Sequence, residues 1–308
     1  MPWWRRGEVM PVFERDGAVF NYLDVGAGVP FVFQHGIGGD IGQPRGVFRP
    51  PHGVRLLSFD CRAHGDTVSR ADPTELSFRT YSDDLIGFLD HLGLARAVVG
   101  GISMGAGVAL GVAVRYPERV AGLVLSRPAW LAGPMPDRTV ALFDRLAGLL
   151  RLLGSTAAGG RGLDWAQHAL AADRRFSVIA TRYPDTARSL RGQLTSPRAV
   201  DGVARLERLP RDRPIARLRD AAGIRAPTLV IAHRHDPLHP FAFGAALART
   251  IPGARLARVT ARSIDEQRHA DEVHDALVEF VQQDLIEAMP VHLVRCSASA
   301  TIPSGLLR

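Results

Sequence analysis

Apolar positions along the chain fall into two alternating patterns. Short continuous runs, bounded by Gly, Pro or Asp, read as buried strands, and longer stretches spaced three and four apart read as helices. Residues 9–15 and 18–23 are strand-like and flank Asp16-Gly17, a pair favoured by two-residue hairpin turns. Further strands are expected at residues 30–34, 54–59, 95–99, 120–125, 228–232 and 254–259. Between them lie helical patterns at residues 78–92, with Leu85, Phe88, Leu89 and Leu92 on one side, and at 106–114, stopped by Pro117. Two more helices are expected at 241–249 and 270–284. Strand and helix alternate after the opening hairpin. The pattern predicts an α/β fold, a mostly parallel sheet with helices on both faces.

The alternation breaks once. Residues 127–222 contain helical patterns and no convincing strand, with prolines at 128, 134, 136, 184, 197, 210 and 214. This stretch leaves the sheet after one strand and returns before the next, so it reads as a helical lid inserted over the carboxyl edge of the sheet. The expected organisation is a core of residues 9–126 and 223–284, a lid of 127–222 and a loosely ordered tail of 285–308. Residues 97–114 carry no charge and are long enough to span a bilayer. Glycines crowd that run, and a strand, a turn and a buried helix laid end to end produce the same signal. No membrane partner is expected.

Composition narrows the class. The chain has 308 residues, 46% of them hydrophobic, and a mean hydropathy of +0.01, as in a globular protein with a sizeable core. No apolar segment follows Trp3-Trp4-Arg5-Arg6, so no signal peptide is expected. Cys61 and Cys296 make no disulfide framework, and the cytoplasm is the expected compartment. The isoelectric point of about 10.5 raises the question of nucleic acid. All 38 basic residues are arginine, which reads as composition bias, and the excess concentrates between Arg127 and Asp220. That segment lacks a basic strand interleaved with aromatics or a recognition-helix pattern, so nucleic acid is not an expected partner. A solvated helical surface is the favoured reading, and attraction of an anionic substrate the minority one. No cofactor or metal is expected, and homo-oligomerisation is left open.

The chemistry centres on Gly101-Ile102-Ser103-Met104-Gly105. A serine between two glycines at a strand-to-helix corner is the nucleophile elbow, in which a tight turn pushes the hydroxyl out at a helix N-terminus. Small residues must flank the corner or it cannot close.

Four blocks extend this reading: His35-Gly36-Ile37-Gly38, Asp60-Cys61-Arg62-Ala63-His64-Gly65, the elbow, and acid and histidine segments near the C-terminus. In that order they resemble the α/β-hydrolase fold family over residues 9–284. Ala63 stands where many relatives have glycine, as does Ala106. The resemblance implies a Ser103 nucleophile, followed along the chain by an acid and then a histidine. The loop after the strand at 120–125 offers no carboxylate before Asp137, whereas the one after 228–232 offers Asp236 directly. A turn-forming Asp-Pro is the competing role for Asp236. For the base the resemblance points to the loop before the final helix, where His269 stands. His274 reads as a surface residue within that helix, and His235 and His239 flank the acid in what reads as the wrong loop. Oxyanion donors are implied at the backbone N–H groups of Met104 and Ile37, with Gly38 next to the latter. Gly36, Trp130 and Trp165 are candidate pocket residues, ordinary core packing being at least as good a role for the two tryptophans. His35 and His64 are expected to hold backbone turns. The expected activity is a serine hydrolase cleaving a small-molecule ester, lactone or thioester through an acyl-enzyme. Alternatives on the same residues are C–C bond hydrolysis, perhydrolysis, a biosynthetic cyclase or a non-catalytic ligand-binding protein.

Overall fold

The computed structural model describes residues 10–69, 75–155, 162–196 and 198–286. Among the described residues nine strands make one sheet: β1 (Val12–Arg15), β2 (Ala18–Gly26), β3 (Gly28–Gln34), β4 (Gly53–Phe59), β5 (Val68–Ser69), β6 (Ala97–Ile102), β7 (Val120–Ser126), β8 (Thr228–Ala232) and β9 (Arg255–Arg258). Their spatial order is β1-β2-β4-β3-β6-β7-β8-β9, with the short β5 against β2. β1, β2 and β5 pair antiparallel, β2 meets β4 antiparallel, and every later pairing is parallel. The hairpin closes as its turn residues predict, with Arg15 opposite Ala18 and positive φ at Asp16 (44°) and Gly17 (69°).

Alternation along the strands divides the core. Val32, Leu57 and Val99 face α2 (Phe78–His91) and α3 (Met104–Arg115), together with a cluster of Phe13, Phe20, Phe59 and Phe88. Phe31, Phe33, Leu56 and Val98 face the other way, against Phe48, Val273 and Leu277. The charge-free run at 97–114 resolves as β6, buried throughout, followed by α3, buried as far as Ala113, and no helix among the described residues is long and apolar enough to cross a membrane. Residues between β7 and β8 form α4 (Asp137–Gly154), α5 (Leu163–Ala171), α6 (Arg174–Arg182), α7 (Pro184–Thr195) and α8 (Val203–Arg208). A short helix α1 (Gly42–Val47) follows β3, and α9 (Phe241–Thr250) separates β8 from β9.

One boundary differs from expectation in a way that matters for the chemistry. The last helix, α10, runs from Glu266 to Glu279, so it begins four residues earlier than the apolar pattern suggests. Asp265 is its cap, accepting the Arg268 N–H at 2.9 Å. His269 therefore sits in the first turns of a helix instead of in the loop before it. The tail expected to be loosely ordered lies, beyond residue 286, outside the described residues, as does Cys296.

Candidate active site

Ser103 occupies the corner between β6 and α3 with φ 57° and ψ −104°, a strained conformation for a residue with a side chain. The glycines on either side explain how the corner closes. A Cβ on Gly101 would lie 2.4 Å from the Gly105 backbone, and one on Gly105 2.4 Å from the Gln34 carbonyl oxygen. The Ser103 N–H is tied to the Ser126 carbonyl at 2.9 Å, which locks the elbow to the next strand. Met104 is the first residue of α3, where backbone N–H groups have no partner within the helix.

The Ser103 hydroxyl donates to Nε2 of His239 at 2.7 Å, and His239 Nδ1 donates to Asp236 Oδ2, also at 2.7 Å. Asp236 does two jobs at once. Its Oδ1 accepts the N–H groups of Leu238 (3.0 Å) and His239 (3.1 Å), so the carboxylate also builds the turn that swings the His239 ring back over the sheet. The turn-forming role and the site role of Asp236 are thus one arrangement. Burial pushes this carboxyl's pKa up, but the His239 hydrogen bond and the nearby charges of His239, Arg127 and His233 outweigh it and hold the group well below the usual carboxylate range.

The structure does not bring His269 to this place, contrary to expectation. Its Nδ1 donates to the Thr260 carbonyl at 2.8 Å, and its ring stands edge-on to His233, 5.2 Å between centroids. Burial lowers its pKa to about 4. The physical reason is the early start of α10: once Asp265 caps that helix, His269 is held by it and faces the Thr260 carbonyl. His274 lies on the same helix, half-buried beside Phe48. The residue that sequence reasoning passed over is His239. A signal for it was present, since an Asp-Pro-x-His turn places the imidazole three residues from its acid.

Among the remaining expected site residues, Gly36 and Ile37 line the cavity that opens at Ser103 and His239, a space of about 40 Å³ also walled by Gln43, Met135, Phe143, Leu190 and Leu238. Trp130 does not line it. It is 1% exposed, its indole N–H donates to the Leu209 carbonyl at 3.1 Å, and its ring meets Phe78 edge-on. Trp165 packs on the large core cluster that runs from the sheet into the helical insertion, and it is not among the cavity-lining residues.

The insertion is tied to the loop after β3. In that loop the Gly39 N–H bonds the Gly36 carbonyl at 2.9 Å, and Gly38 at the third turn position has φ 75°. Gln193 of α7 donates to the Ile37 carbonyl at 3.0 Å and fills the space where a Gly38 side chain would stand. Buried Arg205 of α8 in turn donates to Gln193 Oε1 (3.3 Å) and to the Ala63 carbonyl.

His35 and His64 hold turns beneath the site. His64 Nδ1 donates to the Arg62 carbonyl at 2.9 Å. His35 donates from Nδ1 to the Gly36 carbonyl (2.9 Å) and accepts the Cys61 N–H at Nε2 (3.0 Å). Protonating His35 would break that second bond inside the core, and burial lowers its pKa to about 4. A histidine whose folded pKa is depressed stabilises the fold above its unfolded pKa of about 6.5 and loses that contribution as pH falls towards the folded value. The stability difference between the wild type and His35→Gln should therefore shrink by on the order of 3 kcal/mol from pH 7.5 to pH 4, as read by urea unfolding at each pH. A difference independent of pH would refute the neutral, acceptor role of Nε2.

Comparison with known proteins decides the family. The family model described as "alpha/beta hydrolase fold" matches residues 29–261. The chain belongs to the α/β-hydrolase fold family. It is 31% identical over 246 residues to the 2-hydroxymuconate semialdehyde hydrolase of Pseudomonas putida, covering 77% of this chain and 80% of that protein. It is 35% identical over 126 residues to the dihydrolipoyllysine-residue acetyltransferase component of the acetoin cleaving system of Pseudomonas putida, covering 38% of this chain and only 32% of that protein. Among solved structures, the enol-lactonase from Burkholderia xenovorans LB400 superposes with a TM-score of 0.66 at 24% identity, covering 89% of this chain and all of the other. The protein is an α/β-hydrolase enzyme. The hydrogen-bonded chain from Asp236 through His239 to Ser103 sits at the carboxyl ends of its parallel strands, where ligands bind in open α/β sheets.

Proposed function

We propose that this α/β-hydrolase cleaves an ester, lactone or thioester through an acyl-enzyme on Ser103. The observation that carries the reading is the unbroken hydrogen-bond chain Asp236–His239–Ser103, with both links at 2.7 Å. His239 accepts the hydroxyl proton at Nε2 as Ser103 attacks the carbonyl carbon. Asp236 keeps the imidazole in the tautomer that leaves Nε2 free to accept, and stabilises the imidazolium that forms. The negative charge developing on the carbonyl oxygen is met by the N–H groups of Met104 and Ile37. His239 then gives its proton to the leaving oxygen or sulfur, and water repeats the sequence to release the acid.

The helices between β7 and β8 act as the lid in this reading. They supply Phe143, Leu190 and Gln193 to the cavity wall. A second space of about 700 Å³ adjoins it through Leu238, floored by Leu142, Val178 and Ile179. Arg138, Arg174, Arg175 and Arg182 also border it, so the space has room for an acyl or leaving group with both apolar and polar parts. The same three residues could run C–C bond hydrolysis of a 1,3-dicarbonyl compound, and the likeness to a semialdehyde hydrolase keeps this as the second reading. The enzyme is expected to react with a neutral fluorophosphonate probe, with the adduct mapped by mass spectrometry to the peptide containing Ser103. An adduct elsewhere, or none, would sink the acyl-enzyme reading. A panel of p-nitrophenyl esters, lactones and 1,3-dicarbonyl compounds separates the two reaction types.

A further inference from the structure

Arg127 is the first residue after β7, and its backbone is clamped where it stands. Its N–H donates to the Ile231 carbonyl at 2.8 Å, and φ is 47°, a region an arginine adopts only when the surroundings impose it. Ser126 beside it holds the Ser103 N–H, so Arg127 is one residue removed from the strand contact that anchors the nucleophile. Among the described residues its guanidinium makes no hydrogen bond and no ion pair. The Nε is out of reach of solvent and makes no hydrogen bond, and among the described residues no carboxylate forms an ion pair with Arg127. Asp236 attracts it electrostatically but is committed to His239 and to two backbone N–H groups, and Asp185 attracts it too without coming within ion-pair distance.

Arg127 is half-buried, but an Nε shut off from water without a hydrogen-bond partner is costly, and arginine stays charged at neutral pH, so an anion in the adjoining space would complete it. Its position shows where that anion would lie. Arg127 lines the cavity at Ser103 and His239, and it also lines a neighbouring space of about 310 Å³ with Ser126, Arg262 and His269. Both spaces share Gln43 and Ile102, so the guanidinium stands on the wall between the nucleophile and a second chamber. In that chamber Arg262 is paired with Glu266, which leaves Arg127 as the cation with donors to spare.

We propose that Arg127 binds a carboxylate of the substrate, so that the enzyme acts on acyl compounds carrying a free carboxylate a few bonds from the scissile carbonyl. The planar guanidinium can hold a carboxylate through two parallel hydrogen bonds and so fix the distance of the reacting carbonyl from Ser103. This assignment rests on Ser103 being the nucleophile, and it names the substrate class for that site.

The test compares matched substrates on the whole enzyme. One pair places the carboxylate on the acyl side, p-nitrophenyl hydrogen glutarate against p-nitrophenyl pentanoate. The other places it on the leaving group, the butanoate ester of 4-hydroxybenzoate against that of 4-hydroxybenzamide. For at least one pair the wild type should favour the anionic member in kcat/KM. That ratio should fall about ten- to hundredfold in Arg127→Gln, the range expected for a lost charge-assisted hydrogen bond, and partly recover in Arg127→Lys. A ratio unchanged in Arg127→Gln, or a wild type preferring the neutral member of both pairs, overturns the proposal. Should the variants fail to fold, inhibition of neutral-ester hydrolysis in the wild type decides instead: glutarate must inhibit at lower concentration than glutaramide, and equal inhibition overturns the assignment. Fluorophosphonate labelling of Ser103 in the same preparations keeps the two questions apart. Labelling with no charge preference removes the role of Arg127 alone, and absent labelling removes the nucleophile and this inference together.

Discussion

His239→Ala is expected to lower kcat by about 10⁴- to 10⁶-fold, whereas His269→Ala should stay within about threefold of wild type. His239 is the only imidazole among the described residues that touches both the Ser103 hydroxyl and the Asp236 carboxylate. Without it the hydroxyl has no acceptor for its proton, and fluorophosphonate labelling should slow in parallel with turnover. His269 donates to Thr260 and contributes to the packing of α10 on the sheet, so its loss should appear as a lowered melting temperature. Steady-state kinetics with one activated ester, with thermal melts on each variant, separate the two roles. A fully active His239→Ala enzyme would move the base elsewhere.

Asp236→Asn should cost about 10⁴-fold in kcat while leaving the fold intact. An asparagine can keep its carbonyl oxygen on the Leu238 and His239 N–H groups, so the turn that Asp236 builds survives. Its amide would then face His239 Nδ1 as a donor, forcing the ring proton onto Nε2 and presenting a donor to the Ser103 hydroxyl. Asp236→Ala removes the turn as well, and should lower stability in addition to rate. Circular dichroism and melting curves beside kcat distinguish the two variants. Equal thermal stability of Asn and Ala forms would refute the double role of this carboxylate. The bond from Gln193 to Ile37 gives the helical insertion a direct hold on the cavity wall, and Arg205 ties the same insertion to the loop after β4.

The amino-acid sequence by itself determined those parts of the protein that local chemistry specifies. Short continuous apolar runs marked the strands, apolar positions three and four apart marked the helices, and Asp16-Gly17 marked the hairpin that the backbone closes with positive φ at both residues. Gly101 and Gly105 marked the elbow because only hydrogen fits where a Cβ would strike backbone atoms at 2.4 Å. Ser103 was picked out by that same motif, whereas Asp236 was reached only through the family resemblance, as the carboxylate in the loop after the strand at 228–232. Which histidine meets them was decided only in three dimensions. The last helix begins at Glu266, where the capping bond of Asp265 outweighs the weak apolar pattern of the first turn, and this carries His269 away from Asp236. His239 lies 136 positions from Ser103 along the chain, and only the parallel order β6-β7-β8 sets the two loops side by side. The isolated guanidinium of Arg127 was equally hidden, because an unpaired charge is a property of the space around a residue and not of its neighbours in sequence.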